Sequence, residues 1–339
     1  MVRAAVVVRP NELELREVPI PSPGPCQALV RIEACSICNA TDLKIFRGRL
    51  PFIPADAYPG ILGHEAVGTV VETDSRAKAF PVGTRVLRPA AQVPGLGCFW
   101  GGFAEYGLVT DAAAAAGAGQ KPAVPVHPGM QVVPRNIEPE AATQLVTWKE
   151  ALSYLTSLRA EQARSVLVMG TGPVGLAMCA LAKRAFNVPT VASLGRRTAG
   201  LERARRLGAT ATVNTSEPGP LPALRAMAPD GFDLVLDAAG DADLMRVALD
   251  VLKPDGRLGA YATDDSEKPS REQLSHDPRV LPGHCDESVA HTRVLDLVSS
   301  GALDLRALVS HCLPFDRLRE GLRLVETREA VKVVIRISA

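Results

Sequence analysis

The stretch Ser165-Val166-Leu167-Val168-Met169 runs without a break into Gly170-Thr171-Gly172-Pro173-Val174-Gly175, and from Leu176 to Ala185 the apolar side chains recur at helical spacing. No other part of the sequence restricts the fold so strongly. A short continuous apolar run is what a strand buried on both faces requires. Glycine at the first turn position permits a sharp reversal, the second lets a pyrophosphate approach the backbone, and the third lets helix and strand pack closely. The helix start then presents free N–H groups and a positive dipole end to phosphate. A lone G-x-G-x-x-G is weak evidence, because glycine-rich turns are common. With a strand before it and a helix after it, Gly170, Gly172, Pro173, Val174 and Gly175 become a candidate dinucleotide site. The alternative is a structural turn in a doubly wound domain that binds no dinucleotide.

The neighbouring sequence keeps the same rhythm. Strands are expected over 190–193, 232–237 and 257–261, with helices over 200–207 and up to Leu252 between them. Such alternation specifies a parallel sheet with helices on both faces. Before about Glu138 the texture differs: short β-branched runs at 4–8, 28–33, 68–72 and 85–88 are separated by Pro/Gly punctuation. A helix is expected over 141–160. The low-complexity stretch 112–119 reads as a flexible surface insertion. A helix over 294–300 and a last strand over 331–335 return the chain to its first part. We therefore expect two domains, a β-rich one formed by 1–145 and 290–339 and a doubly wound one formed by 146–289.

An acid commonly stands at the end of the second strand of an NAD site, about twenty residues past the last glycine. That position falls on Gly195, followed by Arg196-Arg197. Without a carboxylate a 2′-phosphate meets no repulsion, and a guanidinium can bind it bidentately. Gly195, Arg196 and Arg197 thus favour NADP(H) over NAD(H); two solvated turn arginines are the alternative.

Charge argues against two partner classes. The 38 basic and 37 acidic residues nearly cancel, which gives no electrostatic case for nucleic acid or for an anionic membrane surface. The apolar N-terminal run breaks at Arg9-Pro10, too soon to cross a bilayer. Seven scattered cysteines do not form a disulfide framework, and a reducing cytoplasm fits them.

Two clusters in the first part carry ligand-type side chains: Cys35-Ser36-Ile37-Cys38-Asn39-Ala40-Thr41-Asp42 and Gly63-His64-Glu65. Thiolate and imidazole are good zinc ligands, and a catalytic zinc needs three protein ligands with one position open. Buried structural cysteines are the plain alternative. His284, Cys285 and His291 read as surface or interface residues, and the polar run 264–272 as a solvated loop.

At this point the chain resembles the medium-chain dehydrogenase/reductase family, the zinc alcohol and polyol dehydrogenases. The matching pieces span nearly the whole chain: Cys38…Thr41-Asp42, Gly60-Ile61-Leu62-Gly63-His64-Glu65-Ala66-Val67-Gly68, Gly83-Thr84-Arg85-Val86, Gly101-Gly102-Phe103-Ala104-Glu105-Tyr106, the glycine turn, Arg205–Ala209 and Phe232–Asp237. The resemblance implies a GroES-like catalytic domain beside a Rossmann domain. It implies Cys38 and His64 as catalytic zinc ligands with Glu65 as a coordinating or supporting carboxylate. Thr41 would hydrogen-bond the substrate oxygen, Lys44 would take the place of a relay histidine, and Asp42 would orient the site. Cys35 matches no ligand and is read as core.

Three departures qualify this. One extra residue separates Cys38 from Thr41. The four-cysteine lobe is missing, with only Cys98 between Arg88 and Gly101, so no structural zinc is expected. The third ligand should fall at Leu145 or Val146, which cannot bind metal; the adjacent Gln144 offers only an amide oxygen, a poor zinc ligand. The expected activity is hydride transfer between NADP(H) and a secondary alcohol/ketone pair of polyol, sugar or cyclitol type, assisted by zinc. The alternatives are a zinc-free NADPH-dependent reductase of an activated alkene or imine, and a non-catalytic NADP(H)-binding sensor. Small-molecule substrates are the implied partners, and homodimers or homotetramers are the common assemblies of the family.

Overall fold

The computed structural model describes residues 1–50, 53–118, 127–217, 219–262, 276–281 and 283–338. The polar run 264–272 and Gly119 lie outside them. The chain divides into two compact units, Met1–Val146 with Leu308–Ala339, and Thr147–Ala307. The helix His291–Ser299, expected to belong with the β-rich unit, belongs to the other; the chain crosses back only at Leu308.

In the first unit, strand Gln27–Ser36 is central. It pairs antiparallel with Glu65–Thr73, with Tyr106–Thr110 and with the C-terminal strand Val333–Arg336. Arg85–Leu87 and Val132–Val133 extend that sheet on one side and His311–Pro314 on the other. A smaller sheet joins Glu12–Val18, Val2–Arg9, Gly60–Ile61 and Gly97–Cys98 in that order. The shared core gathers Val7, Ile32, Cys35, Ile37, Leu62, Phe103 and Ile335 against Leu318 and Leu322 of the helix Leu318–Glu326. Alternation along Gln27–Ser36 puts Ile32 in this core, since successive side chains in a strand point to opposite faces. The alanine-rich stretch is helical over Ala112–Gly117, its start capped by the Asp111 carboxylate, which accepts from Ala114 N. A side-chain acceptor for one free N–H of the first turn, and alanine's high helix propensity, account for that order.

The second unit is a parallel sheet in the order Ala211–Asn214, Thr190–Gly195, Ser165–Met169, Phe232–Asp237, Leu252–Ala260, Val280–Leu281. Strand order therefore reverses between Ser165–Met169 and Phe232–Asp237, which is where open α/β sheets leave a crevice for ligand. Helices Pro173–Arg184, Thr198–Leu207, Pro220–Met227 and Ala242–Asp250 supply crossovers. The edge strand Ala211–Asn214 had no sequence expectation; with Thr and Asn in its four residues it carries no apolar run. The helix expected over 141–160 is two pieces, Pro139–Ala142 and Leu145–Ser157. Among the described residues no helix is long and apolar enough to cross a membrane.

Candidate active site

Antiparallel pairing brings three chain segments to one end of the larger sheet. Ser36, the last residue of its strand, stands opposite Glu65, the first of the next, and opposite Val334 on the other side. Lys332 immediately precedes Val333, so its side chain reaches the same place. Lys332 Nζ donates to Glu65 Oε1 at 2.6 Å and Ser36 Oγ to Glu65 Oε2 at 2.5 Å. All three are buried. A buried charge is tolerated only when paired and hydrogen-bonded, and removing one partner of such a pair costs about 3–5 kcal/mol. Burial alone would raise the Glu65 pKa, but the Lys332 charge and the hydrogen bonds overcome it and hold the carboxyl below its usual range. Lys332, whose burial alone would lower its value, is raised in turn by Glu65.

Past Ser36 the chain leaves the sheet through Cys38 and enters the short helix Thr41–Phe46. Asp42 on its first turn ties the two sequence clusters together. Its Oδ2 accepts from Cys38 N at 2.8 Å, and its Oδ1 lies 3.2 Å from His64 Nδ1. Burial would lower the His64 pKa; Asp42 and Cys38 outweigh it and the net shift is upward. The sulfur of Cys38, a His64 ring nitrogen and a Glu65 oxygen all lie within 4.8 Å of one another, and among the described residues no other group of three such donors forms. His284 and Cys285 are exposed and do not assemble into one.

Two further residues fix His64. Arg88 Nη1 donates to the His64 carbonyl at 3.0 Å, and the Trp100 ring lies 5.5 Å from the imidazole centroid, tilted by 53°. Both have left-handed backbones, φ 59° at Arg88 and 63° at Trp100, which are costly for non-glycine residues. Thr41 and Lys44 stand three apart on the helix after Cys38 and are half-buried. Cys35 is fully buried in the core, and burial pushes its thiol well up, which makes it inert.

In the second unit, Gly170 has φ +108°, and a Cβ there would come 3.0 Å from the Ala238 carbonyl group. A Cβ on Gly175 would lie 2.1 Å from Gly170 O, whereas one on Gly172 would meet nothing within 4 Å. Gly172 precedes the helix Pro173–Arg184 and caps it without a side chain. The Asp237 carboxylate accepts from Ala239 N and Gly240 N and so shapes the loop beside Gly170. At the end of the second strand, a Cβ on Gly195 would come 2.8 Å from Thr171 Cγ2. That close approach is a packing reason for the missing acid. Arg196 and Arg197 beside it are exposed.

Residues 24–133 match the alcohol dehydrogenase GroES-like domain, and residues 173–282 match the zinc-binding dehydrogenase domain. The chain is 30% identical to the "Probable zinc-binding alcohol dehydrogenase Rv1895" of Mycobacterium tuberculosis, over 96% of this chain and 86% of that one. The chain belongs to the medium-chain, zinc-type alcohol dehydrogenase family. It is thus an NAD(P)-dependent oxidoreductase with a GroES-like and a Rossmann domain. Among its relatives, the erythritol/L-threitol dehydrogenase of Mycolicibacterium smegmatis is 29% identical over 98% of this chain and 96% of that one. The alcohol dehydrogenase TADH from Thermus sp. ATN1 has the same fold, with TM-score 0.80 at 27% identity over 98% and 99% of the two chains.

The donors of this dehydrogenase suit zinc in kind: one thiol sulfur, one imidazole nitrogen and one carboxylate oxygen. The expected third-ligand position offers nothing, for Leu145 and Val146 are fully buried hydrocarbon. Next to them Gln144 is fully buried, and its Oε1 has no hydrogen-bond partner among the described residues. A buried acceptor left unpaired is uncommon and costly. Sequence reasoning missed Ser36, Arg88 and Lys332. The one available signal was a lysine set inside the apolar run Val331-Lys332-Val333-Val334-Ile335.

Proposed function

We propose that this dehydrogenase interconverts a secondary alcohol and its ketone with NADP(H), at a zinc held by Cys38, His64 and Glu65. The observation that carries the reading is the convergence of these three donor atoms within 4.8 Å, from segments that the sequence separates. Zinc, when bound, supplies a Lewis acid that polarises the substrate oxygen. The nicotinamide supplies hydride chemistry that belongs to the cofactor.

The chain's own residues do the rest. Asp42 fixes the His64 ring and the Cys38 backbone, so the donors keep one arrangement. Thr41 would hydrogen-bond the substrate oxygen, and Lys44, one helical turn on, would pass its proton outward. Gly170, Gly172 and Gly175, with the helix start at Pro173 and Val174, would cradle the pyrophosphate. With no carboxylate at Gly195, a 2′-phosphate would meet no repulsion there, and Arg196 and Arg197 would bind it. The erythritol/L-threitol relative supports a polyol or sugar-like alcohol as substrate class.

Metal analysis and turnover on a panel of polyols test this together. About one zinc per chain is expected, with Cys38→Ser losing both zinc and turnover; full activity of that variant would defeat the mechanism. A second reading, a zinc-free reductase of an activated alkene or imine, draws support from the hydrocarbon at Leu145 and Val146. Metal-free protein that still reduces such substrates with NADPH would establish it.

A further inference from the structure

With Leu145 and Val146 unable to bind metal, Glu65 is the carboxylate that joins Cys38 and His64 in the donor group found among the described residues. Yet both of its oxygens are already engaged, Oε1 by the Lys332 ammonium at 2.6 Å and Oε2 by the Ser36 hydroxyl at 2.5 Å. The geometry points to Lys332 as a positioning residue that sets how tightly the metal is held, by competing with it for Glu65. The inference rests on the zinc reading above.

The competition is built into the sheet. Lys332 is 2% exposed, so its ammonium has no water to turn to when Glu65 leaves. Its backbone is pinned as well: Ser310 N and Ser310 Oγ donate to Lys332 O, and Lys332 N donates to Ser310 Oγ. The next residue is locked by Ile37 N donating to Val333 O at 2.9 Å. The backbone that carries Lys332 is therefore held beside Glu65, and its buried ammonium keeps the carboxylate within reach. A carboxylate has lone pairs enough to accept Lys332 and Ser36 and still touch a metal. It then places a divalent cation and an ammonium on one small group in a buried, low-dielectric setting, where their repulsion is strong. Zinc affinity becomes a balance between a ligand that is needed and a cation that holds it back. Ser36 acts in the same direction without charge, by holding the second oxygen.

This makes an unusual forecast, because breaking a supporting contact ordinarily loosens a metal. Here Lys332→Met should bind zinc at least tenfold more tightly than the natural protein, read by competition with a chromophoric chelator. Adding Glu65→Gln to Lys332→Met should cancel the gain, since the released ligand is then gone. Ser36→Ala leaves every charge in place and should tighten zinc about threefold or more; it decides the question if Lys332→Met does not fold.

Unchanged or weaker zinc binding by Lys332→Met and Ser36→Ala would overturn the inference. So would a gain that survives in the Lys332→Met/Glu65→Gln double variant, because that gain would come from lost positive charge alone. Failure of the zinc reading is separately visible: zinc held equally well by Cys38→Ser would sink that reading and this inference with it.

Discussion

Gly172→Ala separates a phosphate cradle from a merely structural turn. Gly172 has φ −76° and ψ 178°, which any residue adopts, and a Cβ there meets nothing within 4 Å. Replacing glycine where its backbone angles suit alanine gains about 0.4–1 kcal/mol from the unfolded chain. Alanine is a poorer N-cap than glycine, which takes back roughly half a kcal/mol. The two nearly cancel, so the melting temperature should stay within about 2 °C. The added methyl instead stands in the open space that the pyrophosphate would enter. Pushing the phosphates off even one backbone N–H forfeits a charged hydrogen bond of about 1.5–3 kcal/mol. That corresponds to roughly tenfold to hundredfold weaker NADPH binding. Thermal unfolding of the free protein and fluorescence titration with NADPH measure the two quantities. Unchanged affinity would refute the pyrophosphate assignment, and a large fall in melting temperature would refute the account of open space. Gly175→Ala is the control with the opposite signature. Its Cβ would lie 2.1 Å from Gly170 O, and overpacking of that kind costs about 1–3 kcal/mol in stability before any ligand is added.

Three other outcomes are expected. NADP(H) should bind at least tenfold tighter than NAD(H), about 1.4 kcal/mol, and Arg196→Ala should erase much of that preference; equal affinities in the natural protein would remove the 2′-phosphate assignment. Asp42→Asn keeps the shape that holds His64 and Cys38 but drops the charge, so zinc affinity should fall roughly tenfold to hundredfold; unaltered metal binding would show that Asp42 only fills space. Asp233 is opposed by its burial but held below the ordinary aspartate value of 3.8 by Lys253 and by the Arg164 and Ser165 donors. A lowered folded-state pKa gives stability that is present above the unfolded value and lost as pH falls through the folded one. Asp233→Asn should therefore unfold about 1 kcal/mol more easily at neutral pH, with the difference closing only below about pH 3.9; a difference that persists into strong acid would contradict this.

The Rossmann half was legible because its signals are local. Strand, turn and helix start occupy Ser165 to Ala185, and each glycine has its own stereochemical task there. Strand Thr190–Gly195 and helix Thr198–Leu207 follow the same local rules. The two ligand clusters were legible too, since Cys38 and His64 are good donors in short motifs. Local rules failed where no periodicity speaks. The edge strand Ala211–Asn214 carries too few apolar residues to announce itself. The crossing back at Leu308 depends on which unit His291–Ser299 packs against.

By itself the sequence offered a glycine turn of the dinucleotide-binding type, an arginine pair where an acid often stands, and metal-type donors at Cys38, His64 and Glu65 with none at Leu145 or Val146. Only the tertiary structure decided the company Glu65 keeps. Lys332 lies 267 residues away from it along the chain, and they meet because Val333–Arg336 and Glu65–Thr73 flank the same strand. Strand pairing between distant segments is set by burial and register across a whole sheet, and no short stretch of sequence carries that information. Arg88 reaches the His64 carbonyl for the same reason.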